Sequence, residues 1–366
     1  MNKKKIFLFF VFIISVLILS GCINYSNTIY ASHPTKISYK IKYGYFINST
    51  GSGNYEIKYD CDIPEVILPG TTSHHIINDA YNYEITEVTN NEIIRWDLAD
   101  KDNNQYILGI EANVVAQSFI VKELDGQNTL TIDKIKKYYP EFIKKYCKPQ
   151  VNNNTVYIDP YNPVIKNIAE NVLLETNINS SFIVAKNLFI WLKNSTSYKT
   201  HSDDYSIQTA IKTYQYKTGD CDDLSFLYIS LCGALEIPAR FIRGILINDD
   251  SEKISAIPHT WVEVFVGPKF GINGWIPVEC AGNAKGEKKI QTEVYQNFGV
   301  ETADHLRFFT GDGSNESLNK SISGPSIIRY SNNVIIDAKL FLEITNYNIL
   351  QKNELYIDEN DYREYK

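Results

Sequence analysis

A thiol, an imidazole and a carboxylate stand in this chain at the edges of regular-looking segments. Cys221 lies in Gly219-Asp220-Cys221-Asp222-Asp223, His259 opens His259-Thr260-Trp261-Val262-Glu263-Val264, and Glu279 closes Gly274-Trp275-Ile276-Pro277-Val278-Glu279. Together these groups are the parts of a nucleophilic triad. The thiolate is the nucleophile of such a site, so the cysteine needs help to ionise. The imidazole takes and returns the proton, and the carboxylate fixes the tautomer and stabilises the imidazolium. The chemistry is acyl transfer: the sulfur attacks a carbonyl, the imidazole protonates the leaving amine, and water or a second amine resolves the thioester.

The elements around these residues have the right character to position them. Asp220 is a helix cap, and Asp223 three residues later stands in a capping-box relation to it. Cys221 then falls in the first helical turn, where unpaired backbone N–H groups and the macrodipole favour an anion. Its own N–H is a candidate oxyanion donor; a second donor cannot be placed from sequence. Leu224, Leu227, Leu231 and Leu235 follow the helical period and predict burial of one side, and Ile237-Pro238 ends the helix. The three flanking aspartates oppose thiolate formation, so a protonated His259 is the more important requirement. The alternation from His259 to Val266 predicts a strand with His259 at its mouth, and Glu279 closes a second strand. The segments 248–258 and 267–274 read as loops.

These blocks resemble the transglutaminase-like superfamily, within the papain-like cysteine-enzyme fold. The resemblance lies in Thr218-Gly219-Asp220-Cys221-Asp222-Asp223, then Leu231 to Arg240 with Ile237-Pro238-Ala239-Arg240, Gly244, the His259 block and the Glu279 block. It covers about residues 155–325 and is weaker over 30–150. It implies Cys221 as nucleophile, His259 as base and Glu279 as third member. Members of the superfamily usually carry Asp in the last role, in a Pro-Val-Asp-Pro run; here Glu279-Cys280-Ala281 follows Val278. Glu is one methylene longer.

The chain has 366 residues, 44% hydrophobic composition and a formal charge of −7. That length suits two domains. Lys3-Lys4-Lys5, the apolar run Ile6 to Leu19 and Leu19-Ser20-Gly21-Cys22 form a targeting segment with a lipobox, which predicts lipid modification of Cys22 and an extracytoplasmic, membrane-tethered protein. The apolar run is short for a transmembrane span. An uncleaved signal anchor is the alternative. Loss of residues 1–21 removes three lysines and leaves about −10. Such acidity argues against nucleic acid and against a polybasic membrane surface.

Organisation follows from patterning. Residues 1–22 are the signal peptide and lipobox, and 23–36 a tether. Residues 37–150 alternate as strands and predict a β-sandwich, with Gly51-Ser52-Gly53 and Asp102-Asn103-Asn104 as hairpin-like loops. Residues 151–325 turn from helices to strands, an α+β domain of helices packed on an antiparallel sheet. Helices are expected from Asn162-Pro163, near 181–194 and near 206–217. Residues 326–366 add a late strand and a charged tail.

The remaining chemistry-bearing residues have plainer readings. Cys232 lies about 16 Å along the helix from Cys221 and cannot bridge it. Cys280 is expected to point away from the site. Cys61 and Cys147 are candidates for a disulfide in an oxidising exterior. Without a Cys-x-x-Cys pair, structural zinc is not expected. Asp100 to Asn104 with Glu111 imitates a calcium loop but lacks its glycine and sits between strands. His74-His75 point apart in an extended segment, and His305 receives no role. Several Asn-x-Ser/Thr sites, those at Asn48, Asn153, Asn179, Asn194 and Asn315 among them, add little in so asparagine-rich a chain. The resulting expectation is an enzyme with no cofactor or metal, acting on amide bonds of a peptide or protein substrate near the cell envelope: a peptidase or isopeptidase. A cross-linking transglutaminase and a catalytically silent surface module are the alternatives.

Overall fold

A computed structural model describes residues 28–200, 207–250, 253–283, 285–320 and 325–366. Cys22 and the targeting segment lie outside the described residues.

The chain begins with six strands: β1 (Thr28–Gly51), β2 (Asn54–Asp62), β3 (Thr71–Ile76), β4 (Tyr83–Val88), β5 (Asn91–Lys101) and β6 (Asn104–Gln117). Their alternation buries Ile37, Ile41, Ile57, Trp96 and Leu108 in one core between two antiparallel sheets. The two short loops are not hairpins. Gly51-Ser52-Gly53 and Asp102-Asn103 each carry the chain from one sheet to the other, because β1 and β6 belong to one layer while β2 and β5 belong to the opposite one. Positive φ at Gly51 (103°), Gly53 (138°) and Asp102 (61°) permits these sharp crossings. The calcium-loop imitation is thus an inter-sheet turn.

Helices then dominate: α1 (Ile132–Tyr138), α2 (Pro140–Tyr146), α3 (Pro163–Thr176), α4 (Ser181–Ser195), α5 (Ala210–Tyr216) and α6 (Cys221–Ala234). Thr131, Asn162, Ser180, Thr209 and Asp220 each cap one of them by accepting a backbone N–H. The α6 helix is buried around most of its circumference, not on one side as its leucines suggested. Ser225, Phe226, Ile229 and Ser230 are buried as fully as Leu224 and Leu227, because α6 runs between α3, α4 and α5 and the sheet behind them.

That sheet is antiparallel and consists of β7 (Ala239–Asp250), β8 (Lys253–Phe265), β9 (Trp275–Val278) and β10 (His305–Thr310), in the order β9-β8-β7-β10. The expected loop 248–258 is instead the tip of the long β7–β8 hairpin, in which Asp250 pairs with Lys253. His259 therefore sits inside a strand, opposite Gly244, and not at a strand mouth. Ile245, Ile247 and Leu306 of this sheet pack into the sandwich core and join the two units. Helices α7 (Glu287–Asn297) and α8 (Asn315–Lys320) flank the sheet connections.

The C-terminal strands β11 (Ser326–Arg329), β12 (Val334–Ile357) and β13 (Arg363–Tyr365) return to the sandwich. β12 pairs with β1 from Gly51↔Val334 to Thr28↔Ile357. The sheets run β13-β12-β1-β6-β3 and β11-β2-β5-β4. Residues 28–36, read as tether, are part of β1, and residues 326–366, read as a late strand and a charged tail, complete the N-terminal sandwich. Arg363 then pins this end to the helical unit. Fully buried, it donates to Val121 O (2.7 Å), Val294 O (3.0 Å), Tyr295 O (2.7 Å) and Phe298 O. Among the described residues no helix is long and apolar enough to cross a membrane.

Candidate active site

Cys221 is the first residue of α6, and its position follows from local sequence. The Asp223 N–H donates to Asp220 Oδ1 (3.4 Å), and the Asp220 N–H donates to Asp223 Oδ2 (3.1 Å), a reciprocal capping box. Gln208 anchors the other side of Asp223, through its backbone N–H (2.7 Å) and its side-chain amide (2.9 Å). Gly219 is required here, since a Cβ would lie 2.5 Å from Asp223 Cβ. The thiol is part-exposed at the start of a helix whose remainder is core.

β8 brings the imidazole. His259 is buried, hydrogen-bonds to the Cys221 thiol, and places Nε2 2.6 Å from Glu279 Oε2. With Nε2 committed to the carboxylate, Nδ1 is the nitrogen available to the thiol. A second contact sets the two partners in register. Thr260, next to His259, donates through Oγ1 to Oδ1 of Asp222, next to Cys221, at 2.6 Å. Arg243 Nη2 approaches the same carboxylate at 3.8 Å. Gly244 lets the strands close behind His259, because a Cβ there would strike Leu306 O at 1.9 Å and the Trp261 ring at 3.1 Å.

Glu279 follows β9 and is held at three points. Its Oε1 accepts the Ala281 N–H at 2.6 Å, and its Oε2 faces both His259 Nε2 at 2.6 Å and His305 Nε2 at 3.1 Å. His305, the first residue of β10, places Nδ1 2.9 Å from Thr302 Oγ1. Sequence reasoning missed His305, since only the packing of β10 beside β7 brings it to Glu279. Its sole sequence signal was the short alternation at the start of His305-Leu306-Arg307-Phe308.

Behind the imidazole lies a buried charged network that explains several resemblance motifs. Arg240 donates Nε and Nη2 to Glu263 Oε2 (2.9 and 2.6 Å) and stacks over Trp275, 4.1 Å from its centroid. Arg307 reaches Glu263 Oε1 at 2.6 Å and Glu301 Oε1 at 2.8 Å. Trp261 Nε1 donates to Glu301 Oε2 at 2.9 Å, and its ring meets His305 edge-on at 4.9 Å. The arginine of Ile237-Pro238-Ala239-Arg240 and the Trp and Glu of the His259 block thus fix the sheet that carries the imidazole. Every charge in the network is paired, as burial demands.

The electrostatics follow from this geometry. Burial opposes charge on His259, but the Glu279 carboxylate and the thiol outweigh it and raise the imidazole to about 10. Burial likewise opposes Glu279's charge, yet His259 and His305 hold it well below the usual carboxylate range. For Cys221, burial pushes the thiol up, the His259 hydrogen bond pulls it down, and Asp222 and Asp220 push it up. Asp223 is occupied in the cap and does not contribute. The resting pair is therefore a thiol beside an imidazolium held by Glu279.

Tyr198 borders the thiol. A short parallel pairing sets it beside Gly219, its N–H donates to Asn283 Oδ1 at 2.6 Å, and burial together with the charges of Cys221 and Asp220 raises its phenol to about 12.

Cys221, His259 and Glu279 are thus brought together, while the other cysteines are not. Cys61 is free in the sandwich core and Cys147 is free beside Gly233 at the far end of α6, so the expected disulfide is not formed. Cys61 lies in the sandwich core and Cys147 is buried beside the end of α6, so the two thiols sit in different parts of the fold. Cys232 and Cys280 are buried and free. His75 faces Glu111 on the sandwich surface at 3.5 Å. The donor atoms of His259, Glu279 and His305 lie within 4.8 Å of one another, as do those of Asp220, Cys221 and Asp222. In the first set the donors are already engaged with one another by hydrogen bonds.

The chain is similar to several solved structures. A candidate cysteine protease from Cytophaga hutchinsonii is 14% identical, with a TM-score of 0.48 over 92% of this chain and 99% of that one. The periplasmic domain of TgpA from Pseudomonas aeruginosa is 9% identical, with a TM-score of 0.35 over 67% and 87%. A candidate protease from Parabacteroides distasonis is 8% identical, with a TM-score of 0.26 over 75% and 48%. No curated protein sequence matches the chain significantly. Residues 169–280 match the sequence profile of the transglutaminase-like superfamily, a span that includes Cys221, His259 and Glu279. Residues 169–280 thus carry a sequence similarity to the transglutaminase-like superfamily.

Proposed function

We propose that this protein is a cysteine-nucleophile acyl-transfer enzyme that cleaves amide bonds, a peptidase or isopeptidase tethered outside the cell membrane through lipid on Cys22. The observation that carries the reading is the hydrogen-bonded line from Cys221 through His259 to Glu279, with the thiol at a capped helix N-terminus. The lipobox-like Leu19-Ser20-Gly21-Cys22 supports the address.

In the first step the part-exposed Cys221 thiol releases its proton to solvent, and the thiolate, opposite the imidazolium that keeps its own proton, attacks the substrate carbonyl. The new oxyanion is met by the Cys221 N–H, which α6 leaves unpaired at its first turn. The Tyr198 hydroxyl is the second donor. Its raised pKa keeps it protonated, so it can donate throughout. His259 then delivers its proton to the leaving amine, which departs and leaves the thioester. Neutral His259 next takes a proton from water, which attacks the thioester and frees the carboxylic acid. Glu279 holds the imidazole in one orientation through both steps. Water is assigned as acceptor because the thiol is part-exposed and solvent reaches it. A primary amine would follow the same path. The test is incubation with peptide acyl donors and a labelled primary amine. Peptide hydrolysis dependent on Cys221, without label in the product, supports this reading; Cys221-dependent incorporation of the label would replace it with cross-linking.

A further inference from the structure

We infer that His305 is a positioning residue for the nucleophile: it holds the Glu279 carboxylate where a shorter aspartate would otherwise stand. The inference rests on the proposed acyl-transfer site and extends it from three residues to four.

The geometry makes the case. Glutamate has one more rotatable bond than aspartate, so its carboxylate must be ordered at greater entropic cost. Here that freedom is removed. The Ala281 N–H takes Oε1 at 2.6 Å, and Oε2 is shared between His259 Nε2 at 2.6 Å and His305 Nε2 at 3.1 Å. His305 is itself fixed. Its Nδ1 lies 2.9 Å from Thr302 Oγ1, and the Trp261 ring stands 4.9 Å away at 72°. If the Thr302 hydroxyl donates to Nδ1, then Nε2 carries hydrogen and donates to Glu279. The same Trp261 also stacks near His259, with centroids 6.0 Å apart, and is tied to Glu301. One rigid wall therefore aligns both histidines on one carboxylate oxygen. Such outer hydrogen bonds orient a functional group in the way that partners orient metal-bound histidines.

The test uses the full chain and the second-order rate of Cys221 alkylation by iodoacetamide across pH 5–10. Wild type, His259→Ala, His305→Ala and His305→Gln are compared, with thermal midpoints as a check on folding. Gln can donate from a similar position. His305→Ala should slow alkylation at pH 7 by roughly tenfold and change the pH profile, while His305→Gln should recover to within about threefold of wild type. Superimposable profiles for wild type and His305→Ala would overturn the inference, as would a folded His305→Gln as slow as the alanine variant. Should His305→Ala fail to fold, ring ¹⁵N resonances of the two histidines in wild type and Glu279→Gln decide instead. Both rings should shift on loss of the carboxylate; an unmoved His305 ring contradicts the inference. The two levels fail separately. Enhancement that needs His259 but not His305 removes only this inference, whereas a Cys221 no faster than a free thiol removes the acyl-transfer reading with it.

Discussion

Replacing Glu279 by Gln keeps the shape of the third residue and removes its charge. The imidazolium of His259 rests on that charge. Raising the imidazole from 6.5 to about 10 corresponds to on the order of 5 kcal/mol at about 1.4 kcal/mol per tenfold change. The thiol supplies part of this, and its part-exposure admits screening, so Glu279 is assigned about half, roughly 2–3 kcal/mol. Without the carboxylate, burial opposes the imidazolium with only the thiol against it, which favours the neutral ring at pH 7. The thiol then loses its cationic partner, while burial, Asp222 and Asp220 continue to oppose its ionisation. Thiolate-dependent alkylation at pH 7 should therefore fall by roughly 30- to 150-fold. The rate is read with iodoacetamide under pseudo-first-order conditions, with Cys221 modification followed by peptide mass spectrometry. The buried Cys61, Cys147, Cys232 and Cys280 serve as unreactive internal references. A Glu279→Gln rate within threefold of wild type between pH 6 and 8 would refute the electrostatic argument.

Other consequences can be measured on the same protein. The Glu279–His259 pair links stability to pH: the depressed carboxylate contributes above its unfolded value of 4.5 and loses that contribution as pH falls, while the raised imidazole contributes fully below 6.5 and loses it as pH rises toward about 10. The thermal-midpoint difference between wild type and Glu279→Gln should therefore be largest between about pH 5 and 6.5 and shrink on both sides; a difference independent of pH would contradict it. Arg363→Ala removes the buried guanidinium that donates to the carbonyls of Val121, Val294, Tyr295 and Phe298 and should cost about 3–5 kcal/mol in urea unfolding, whereas a cost below about 1 kcal/mol would show the C-terminal clamp to be unimportant. Gly219→Ala drives a methyl group into Asp223 and should lower stability by about 1–3 kcal/mol and slow Cys221 alkylation. Normal alkylation in that variant would separate the capping box from the thiol's placement.

The site was more legible in the sequence than the architecture was. Gly219, Asp220 and Asp223 announce a capped helix start through interactions within four residues, so local pattern suffices to place Cys221 there. His259 and Glu279 were placed by strands whose alternation is visible. Two features depended on distant partners and were not visible. Glu279 contacts His305 only because β10 pairs with β7, and Lys36 to Gly51 meets its β12 partner from the far end of the chain. The tether and the C-terminal extension were separated in the reading because neither segment shows its partner. The β7–β8 hairpin was cut short because polar and charged residues around its tip, such as Asn248 and Asp249, imitate a loop, although Ile245 and Ile247 keep the strand alternation. The candidate Cys61–Cys147 disulfide had only compartment and cysteine count behind it; Cys61 lies in the sandwich core and Cys147 beside the end of α6. Aspartates near Cys221 were counted as three like charges, yet Asp223 is spent on the cap and Asp222 is held by Thr260 and Arg243.

The central claim is that Cys221 forms a covalent acyl intermediate. Intact-mass spectrometry of the protein quenched in acid during turnover of an activated peptide ester tests it most directly. The account predicts an adduct of the acyl mass, mapped to Cys221, present in wild type, absent in Cys221→Ala, and formed far more slowly in His259→Ala. Turnover without an adduct, or an adduct on another residue that persists in Cys221→Ala, would contradict it.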